Sequence, residues 1–381
     1  MEVWIRQSMP YHSQEEGPMP FPVPGWMWDR KRGADLYGDR MRYIRRVDEL
    51  GFDGIIFTEH HYGPNGGLTP SPTVALAAAT QVTERIKLIT MGVSLALYPH
   101  PVRVAEELAM VDNLSRGRLV FGMISSGAQN LYAYNVPVAE ERARHNEAYD
   151  LIIKAWTEEN PFEWHSEYFD YRCVSILPRP VQVPHPSVWT TASADQTLEW
   201  AAQKHIGMIA AGPTTQCADI LNYYQNHAET ACGWTPTEAD RGIAREFFMA
   251  PTKAQVQEMV DEVFSRDQAD AYPHMFQDPN LRELDRERWA VRSYTYRKEG
   301  GVAERGVGRN LRTMQTGHFL VGDPESIIEQ VLAQHQACRN GVLIIRPEMG
   351  ALTLEEVGDS LELFAREVLP VLQKVSRGSG E

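Results

Sequence analysis

The segment Phe57-Thr-Glu59-His60-His61-Tyr62 is the part of this chain best suited to moving protons. Histidine changes charge near neutral pH, and an adjacent carboxylate can fix the orientation of its ring. Alternate residues of a strand share a face, so His60 and His61 diverge rather than close on one metal ion. No His-Glu-x-x-His string occurs either, and no metal is expected. Other apolar runs end in small or hydroxyl-bearing residues. Met91-Gly92-Val93-Ser94 offers an uncharged floor for a flat aromatic molecule. Ser125-Ser-Gly-Ala-Gln-Asn130 offers hydroxyls and backbone amides. Ser193-Ala194-Asp195-Gln196-Thr197 runs straight into a helix-period segment. Free N–H groups at a helix start, with hydroxyls beside them, bind phosphate, although the same string also reads as a plain N-cap.

These residues need a scaffold that brings strand ends together. Apolar runs at Val3–Gln7, Gly54–Phe57, Ile86–Val93, Leu119–Ile124, Val188–Thr191, Ile206–Ala210, Ile243–Met249 and Val342–Ile345 alternate with helical segments. Each run is apolar on both faces, as buried parallel strands are. Helix starts are marked by Ser71-Pro72 and Asp323-Pro324, and by the capping-box spacings Ser193…Gln196, Thr252…Gln255 and Thr353…Glu356. Gly117 can end the helix whose stripe is Val104, Leu108 and Val111. Eight strands alternating with helices predict a (β/α)8 barrel in a single domain over residues 1–381. The rival doubly wound sheet lacks its glycine fingerprint, since Gly306-Val-Gly308 follows no strand, and no P-loop lysine is present.

Three insertions interrupt a minimal barrel: 9–37, 160–187 with a hairpin-like Phe162–Phe169, and 266–318, a candidate lid. Tyr11, Trp26 and Trp28 of the first are candidate substrate walls. The aromatic, uncharged strand exits favour a hydrophobic or polycyclic substrate over a sulfonate. Net charge is −14 with no Lys/Arg-rich run, so nucleic acid and anionic membranes are poor partners. No apolar run approaches the about 18 residues of a membrane span, the start is no signal peptide, and Cys173, Cys217, Cys232 and Cys338 are too scattered for a disulfide frame. The expected location is the cytoplasm.

Motifs distributed over nearly the whole chain resemble the bacterial luciferase-like flavin-dependent monooxygenases. They are Glu-Leu-Gly-Phe-Asp-Gly at 49–54, Glu59-His60-His61, Ser71-Pro72 and Glu84-Arg-Ile-Lys-Leu88. Further ones are His100-Pro-Val-Arg-Val-Ala-Glu106, Leu114-Ser-Arg-Gly-Arg118, Glu199-Trp-Ala-Ala202 and Val321-Gly-Asp-Pro324. The resemblance implies a luciferase-like TIM barrel with insertions. Its mouth would take reduced FMN from a separate NAD(P)H:flavin reductase and use O2, by way of a flavin peroxide, to insert one oxygen atom into a hydrophobic substrate.

It implies a flavin ring at Gly92, Val93 and Ser94, with a non-prolyl cis bond at Gly92–Val93. It implies a phosphate at Ser193, Ala194 and Thr197, and a flavin tail near Ser125, Asn130 and Tyr134. His60 would be the base, with Glu59 and His61 beside it. Arg309 or Arg312 would close a mobile loop. Where the luciferase subunit has cysteine and arginine after strand 4, this chain has Ile124 and Ser125, which removes an arginine contact to phosphate. Pairing through helices near strands 2 and 3, around the alanine-rich Val74–Ala79, implies a homodimer or homotetramer. Three alternatives remain open at the level of sequence: a deazaflavin-dependent hydride-transfer enzyme of the same superfamily, a barrel hydrolase using Glu59 and Glu348, and a non-catalytic flavin-binding subunit.

Overall fold

Short apolar strands buried on both faces need helices over both sides of their sheet, and closing into a ring also removes the open edges. The computed structural model does this over its described residues, 1–7, 9, 11, 23–62, 68–266, 316–347 and 352–375. In chain order the elements are β1 (Glu2–Gln7), α1 (Arg30–Glu49), β2 (Gly54–Phe57), α2 (Pro72–Thr80), β3 (Lys87–Thr90), α3 (Pro101–Ser115), β4 (Leu119–Met123), α4 (Ala128–Ala133) and α5 (Glu141–Thr157). Then come β5 (Phe162–His165), β6 (Asp170–Val174), β7 (Val188–Thr191), α6 (Asp195–Gln203), β8 (Gly207–Ala211), α7 (Thr214–His227) and β9 (Arg241–Met249). The chain continues through α8 (Lys253–Arg266), β10 (Phe319–Gly322), α9 (Pro324–Cys338), β11 (Val342–Arg346), α10 (Leu354–Glu367) and α11 (Leu369–Val375).

The parallel ring runs β1-β2-β3-β4-β7-β8-β9-β11 and closes when β11 pairs with β1 in register Val3↔Leu343. All eight expected strands are in it, two of them with the expected bounds and the others with ends shifted by up to a few residues. A short further strand, β10, pairs with the outer half of the long β9 and was not foreseen. Its four residues lead directly into Asp323-Pro324, so they read as the approach to a helix rather than a strand. The insertion at 160–187 carries the antiparallel β5–β6 pair, where the hairpin-like string predicted one. The first insertion closes before 37, because α1 already begins at Arg30 with Asp29 as its cap.

Local signals set the helix boundaries. Ser71 accepts from the Val74 N–H with Pro72 at the first turn, Asp323 accepts from Ser326, and Thr353 with Glu356 forms a complete capping box. The helix α3 stops through two left-handed residues, Arg116 and Gly117, with the Gly117 N–H donating to Asp112 O. The interior of the ring is packed by Trp4, Ile56, Ile89, Met91, Val120, Trp189, Ile209, Val342 and Ile344. Trp4 meets Trp189 edge-on at 5.0 Å, and Gly54 leaves the room Trp4 needs, since a Cβ there would lie 2.6 Å from that ring. These side chains fill the middle of the barrel; a cavity of about 420 Å³ lies at its N-terminal end, lined by Glu2, Lys87, Trp189, Lys204 and Glu238, while barrel enzymes bind their ligands at the C-terminal mouth. Among the described residues no helix is long and apolar enough to cross a membrane.

Candidate active site

The segments leaving β2, β3 and β4 meet at the mouth around one carboxylate. Glu59 is buried, and its Oε2 accepts from the Ser94 N–H (3.1 Å) and the Tyr98 hydroxyl (3.1 Å). Its Oε1 lies 2.9 Å from His61 Nε2, and His61 Nδ1 lies 3.0 Å from the Tyr134 hydroxyl. Ionised carboxylates only accept hydrogen bonds, so His61 carries hydrogen on Nε2. Burial and the nearby Glu59 push the Tyr98 phenol far above its usual range. Tyr134 is pushed up to about 12, by burial first and then by Tyr62 and Glu59. The rings of His61, Tyr62 and Tyr134 cluster at 4.7 to 6.2 Å.

The His60 side chain lies near Arg6 and Arg346, as strand alternation predicts, and its backbone N–H donates to Thr69 O. Burial first, then the nearby Arg6, with His61 and Arg346 adding to it, holds its imidazole down to about 4. These arginines correct the expectation of an uncharged wall. Arg6 and Arg346 occupy inward positions two residues beyond Trp4 and Ile344, and Arg346 pairs with Glu246 at 3.2 Å across β11 and β9. The alternation that buries Trp4 and Ile344 inside the ring carried this signal.

The chain leaves β3 through a cis peptide at Met91–Gly92, one bond earlier than expected. Gly92 passes so close to β4 that a Cβ would lie 2.5 Å from Met123 C, and only glycine fits. Val93 N–H donates to Gly122 O, and Ile124 N–H donates to Val93 O, tying the two exits together. The Ser94 and Ser126 hydroxyl oxygens are buried and have no partner among the described residues.

At the far side of the mouth, α6 starts at Asp195 with Ala194 as its cap residue and no side-chain cap bond. The Ser193…Gln196 capping box therefore does not form: Ser193 is exposed, and Gln196 Oε1 accepts from Arg142 instead. Ser125, Arg142, His145, Asn146, Thr190, Gln196, Thr197 and Trp200 enclose a small cavity there. His145 Nδ1 is buried and has no partner among the described residues. Arg142 brings a guanidinium to this cavity, where Ile124 and Ser125 bring none. Its only sequence signal was the spacing Arg142…His145 on one face of α5, far along the chain from the residues it meets. The cavity holds about 10 Å³, room for about one water, and the Arg142–Gln196 bond lies among its lining residues.

Other expected residues lie apart from these clusters. Asn130 is held in α4 by backbone bonds to Gly127 and Tyr134. Tyr11 is buried, its hydroxyl donating to Met27 O and accepting from Asp29 N–H, with the Trp28 ring tilted against it 4.8 Å away. Trp26 is 70% exposed. Arg309, Arg312 and Glu348 lie outside the described residues, as does most of the candidate lid.

Both depressed histidines make stability pH-dependent. His145 is held to about 4 by burial alone. Each folded pKa lies below the unfolded 6.5, so the unfolded chain takes up protons first as pH falls. Their contributions are intact above pH 6.5 and erode towards pH 4. At about 1.4 kcal/mol per unit, each withdraws up to about 3 kcal/mol. The melting temperature is expected to fall through this window, with a shallower slope in His145→Gln. Parallel slopes in the two proteins would contradict the assignment to His145.

The Luciferase-like monooxygenase family profile matches residues 24–340. The oxygenase component of flavin-dependent trigonelline monooxygenase from Acinetobacter baylyi is 28% identical over 209 residues, 54% of this chain and 56% of that protein. The chain spans about half the length of the first curated relatives it matches. Among solved structures, monooxygenase RslO1 from Streptomyces bottropensis superposes with a TM-score of 0.76 at 24% identity, covering 97% of this chain and 99% of that one. The coenzyme F420 dependent tetrahydromethanopterin reductase from Methanopyrus kandleri superposes at 0.66 and 15% identity, covering 97% and 99%. The barrel, its mouth and a profile that spans most of the chain agree: this protein belongs to the luciferase-like monooxygenase family.

Proposed function

We propose that this chain is the oxygenase of a two-component system, taking reduced FMN from a separate NAD(P)H:flavin reductase and using O2 to insert one oxygen atom into an organic substrate. The observation that carries the reading is the cavity at the start of α6. A guanidinium (Arg142), two hydroxyls (Ser125, Thr197), an uncapped helix start and an orphaned buried imidazole nitrogen (His145) converge there. That donor set fits a terminal phosphate monoester. The relative named as a flavin-dependent oxygenase component supports the same reading.

When bound, reduced FMN supplies the electrons that activate dioxygen. The chain's own residues do the rest. Ser193 and Ala194 would present backbone, and Thr197, Ser125 and Arg142 would hold the phosphate. Asn130 would contact the tail, and Gly92, Val93 and Ser94 would hold the ring. His60, uncharged at neutral pH, accepts a proton. Glu59 and His61 hold the neighbouring hydrogen-bond chain in place. Met91 and Ile124 give the mouth apolar surface, while Arg346 can meet a hydrogen-bonding head group, so the substrate is a hydrophobic molecule with one polar end. Trp26 of the first insertion, with Arg309 or Arg312 of the lid segment, would exclude water.

Anaerobic titration tests the reading. Reduced FMN should bind more tightly than reduced riboflavin, and supplying it from an unrelated reductase under air should yield an oxygenated product from apolar ketones. Tighter binding of a deazaflavin than of FMN would place the chain among the hydride-transfer enzymes instead.

The same reading includes a dimer through α2 and α3, which pack side by side. Val74 on α2 is 69% exposed, and Met110 and Leu114, one turn apart on α3, are 50% and 48% exposed. Val74→Glu with Met110→Glu is expected to convert dimers to monomers in sedimentation. An unchanged sedimentation coefficient would remove this face from the interface.

A further inference from the structure

Glu59 is held from two sides before it reaches His61. The Ser94 N–H and the Tyr98 hydroxyl both use Oε2, leaving Oε1 for the imidazole. His61 is nearly buried, so water competes little for either ring nitrogen. Its Nε2 hydrogen is spent on the carboxylate, and in the singly protonated ring Nδ1 can only accept. The Tyr134 hydroxyl, 3.0 Å away, is then the donor. A carboxylate, an imidazole and a hydroxyl stand in line, with the hydroxyl on the partly exposed residue at the rim. This is the arrangement by which a buried acid and a histidine draw a proton through a third group.

We propose that Glu59, His61 and Tyr134 form a proton relay whose outer end, the Tyr134 hydroxyl, takes a proton from a ligand O–H in the mouth while passing its own to His61 Nδ1. This rests on the mouth binding reduced FMN and its substrate. The ligand O–H bond breaks and its proton goes to the Tyr134 oxygen. The Tyr134 O–H bond breaks and its proton goes to Nδ1. The ligand gains one negative charge, His61 one positive, and the Glu59 carboxylate balances the imidazolium. Run in reverse, the chain returns the proton. Tyr134 is the catalytic residue, and His61 and Glu59 are positioning residues that act through it. The groups around the relay are Tyr62 and His60 beyond β2 and Tyr98 beyond β3. The high phenol pKa keeps Tyr134 protonated, and so able to donate, at neutral pH. His60 works on the other face of the same segment, so the mouth has two separate proton routes.

Two measurements decide it. In wild-type protein labelled with 15N-histidine, with His61→Gln to assign the signal, His61 should be the Nε2–H tautomer at neutral pH. Tyr134→Phe should shift its Nδ1 resonance and leave the tautomer unchanged. A doubly protonated ring or an Nδ1–H tautomer overturns the relay, whether or not flavin binds. In stopped flow, protein loaded with reduced FMN is mixed with aerated buffer and the visible absorbance of oxidised FMN is followed. The return should be slower in deuterium oxide for wild type. Tyr134→Phe, compared at saturating reduced FMN, should lose the isotope effect and slow at least about tenfold. An equal rate and isotope effect in the two proteins overturns the relay. Failure of wild type to bind reduced FMN overturns the proposed function instead, and the tautomer then decides the relay alone.

Discussion

Glu59→Gln is expected to slow the oxygen-dependent return of oxidised FMN by about 10²–10⁴, the range for an imidazole forced into the wrong tautomer. The amide has the size of the carboxylate but only one acceptor oxygen. That oxygen can still receive the Ser94 N–H and the Tyr98 hydroxyl, the two donors on Oε2. The NH2 group then faces His61 Nε2, which must accept, and the ring hydrogen moves to Nδ1. There it points at the Tyr134 oxygen and blocks proton uptake from the rim. Losing charge-assisted bonds at a buried site should also lower stability by about 1–3 kcal/mol. The same 15N-histidine spectra that define the wild-type tautomer should show the inverted one in the variant. A variant with wild-type rate and melting temperature would mean that the carboxylate neither orients His61 nor braces the three strand exits.

Arg142→Met is expected to weaken FMN binding about 10- to 150-fold, the equivalent of about 1.5–3 kcal/mol for a charge-assisted bond to phosphate. Riboflavin, which lacks the phosphate, should bind both proteins equally. The methionine keeps the length of the side chain and its packing on α5, so the comparison isolates the guanidinium. Fluorescence quenching with the two flavins gives both affinities directly. Equal losses for FMN and riboflavin would make Arg142 a structural residue, and no loss for either would put the phosphate somewhere other than the start of α6.

The barrel was legible because its signals are local. Strands such as Gly54–Phe57 and Val188–Thr191 were read to the residue, since apolar runs bounded by turn residues need no long-range information. Ser71-Pro72 and Thr353…Glu356 behaved as caps for the same reason. Ser193…Gln196 had equal spacing and failed, because Arg142, 54 residues away, takes the glutamine side chain. A local pattern cannot register a distant competitor. The Glu59-His60-His61 string announced an acid and two imidazoles, but not which histidine the acid would hold; only the alternation of the strand exit decides that for His61. Tyr98, Arg142 and His145 carried little signal at all. They come from segments after β3 and on α5 that meet the site only when the ring closes. The charged inner ring of Arg6, Glu246 and Arg346 was readable from period-two alternation, but the surrounding apolar residues concealed it.

The most direct measurement is a crystal structure of the protein soaked with FMN. The phosphate is expected between Ser193 and Thr197, within hydrogen-bond reach of Arg142, with the isoalloxazine above Gly92–Ser94 and the His60 ring beside it. A phosphate bound away from α6, or side chains of the chain itself filling the mouth, would contradict the assignment of this barrel as a flavin site.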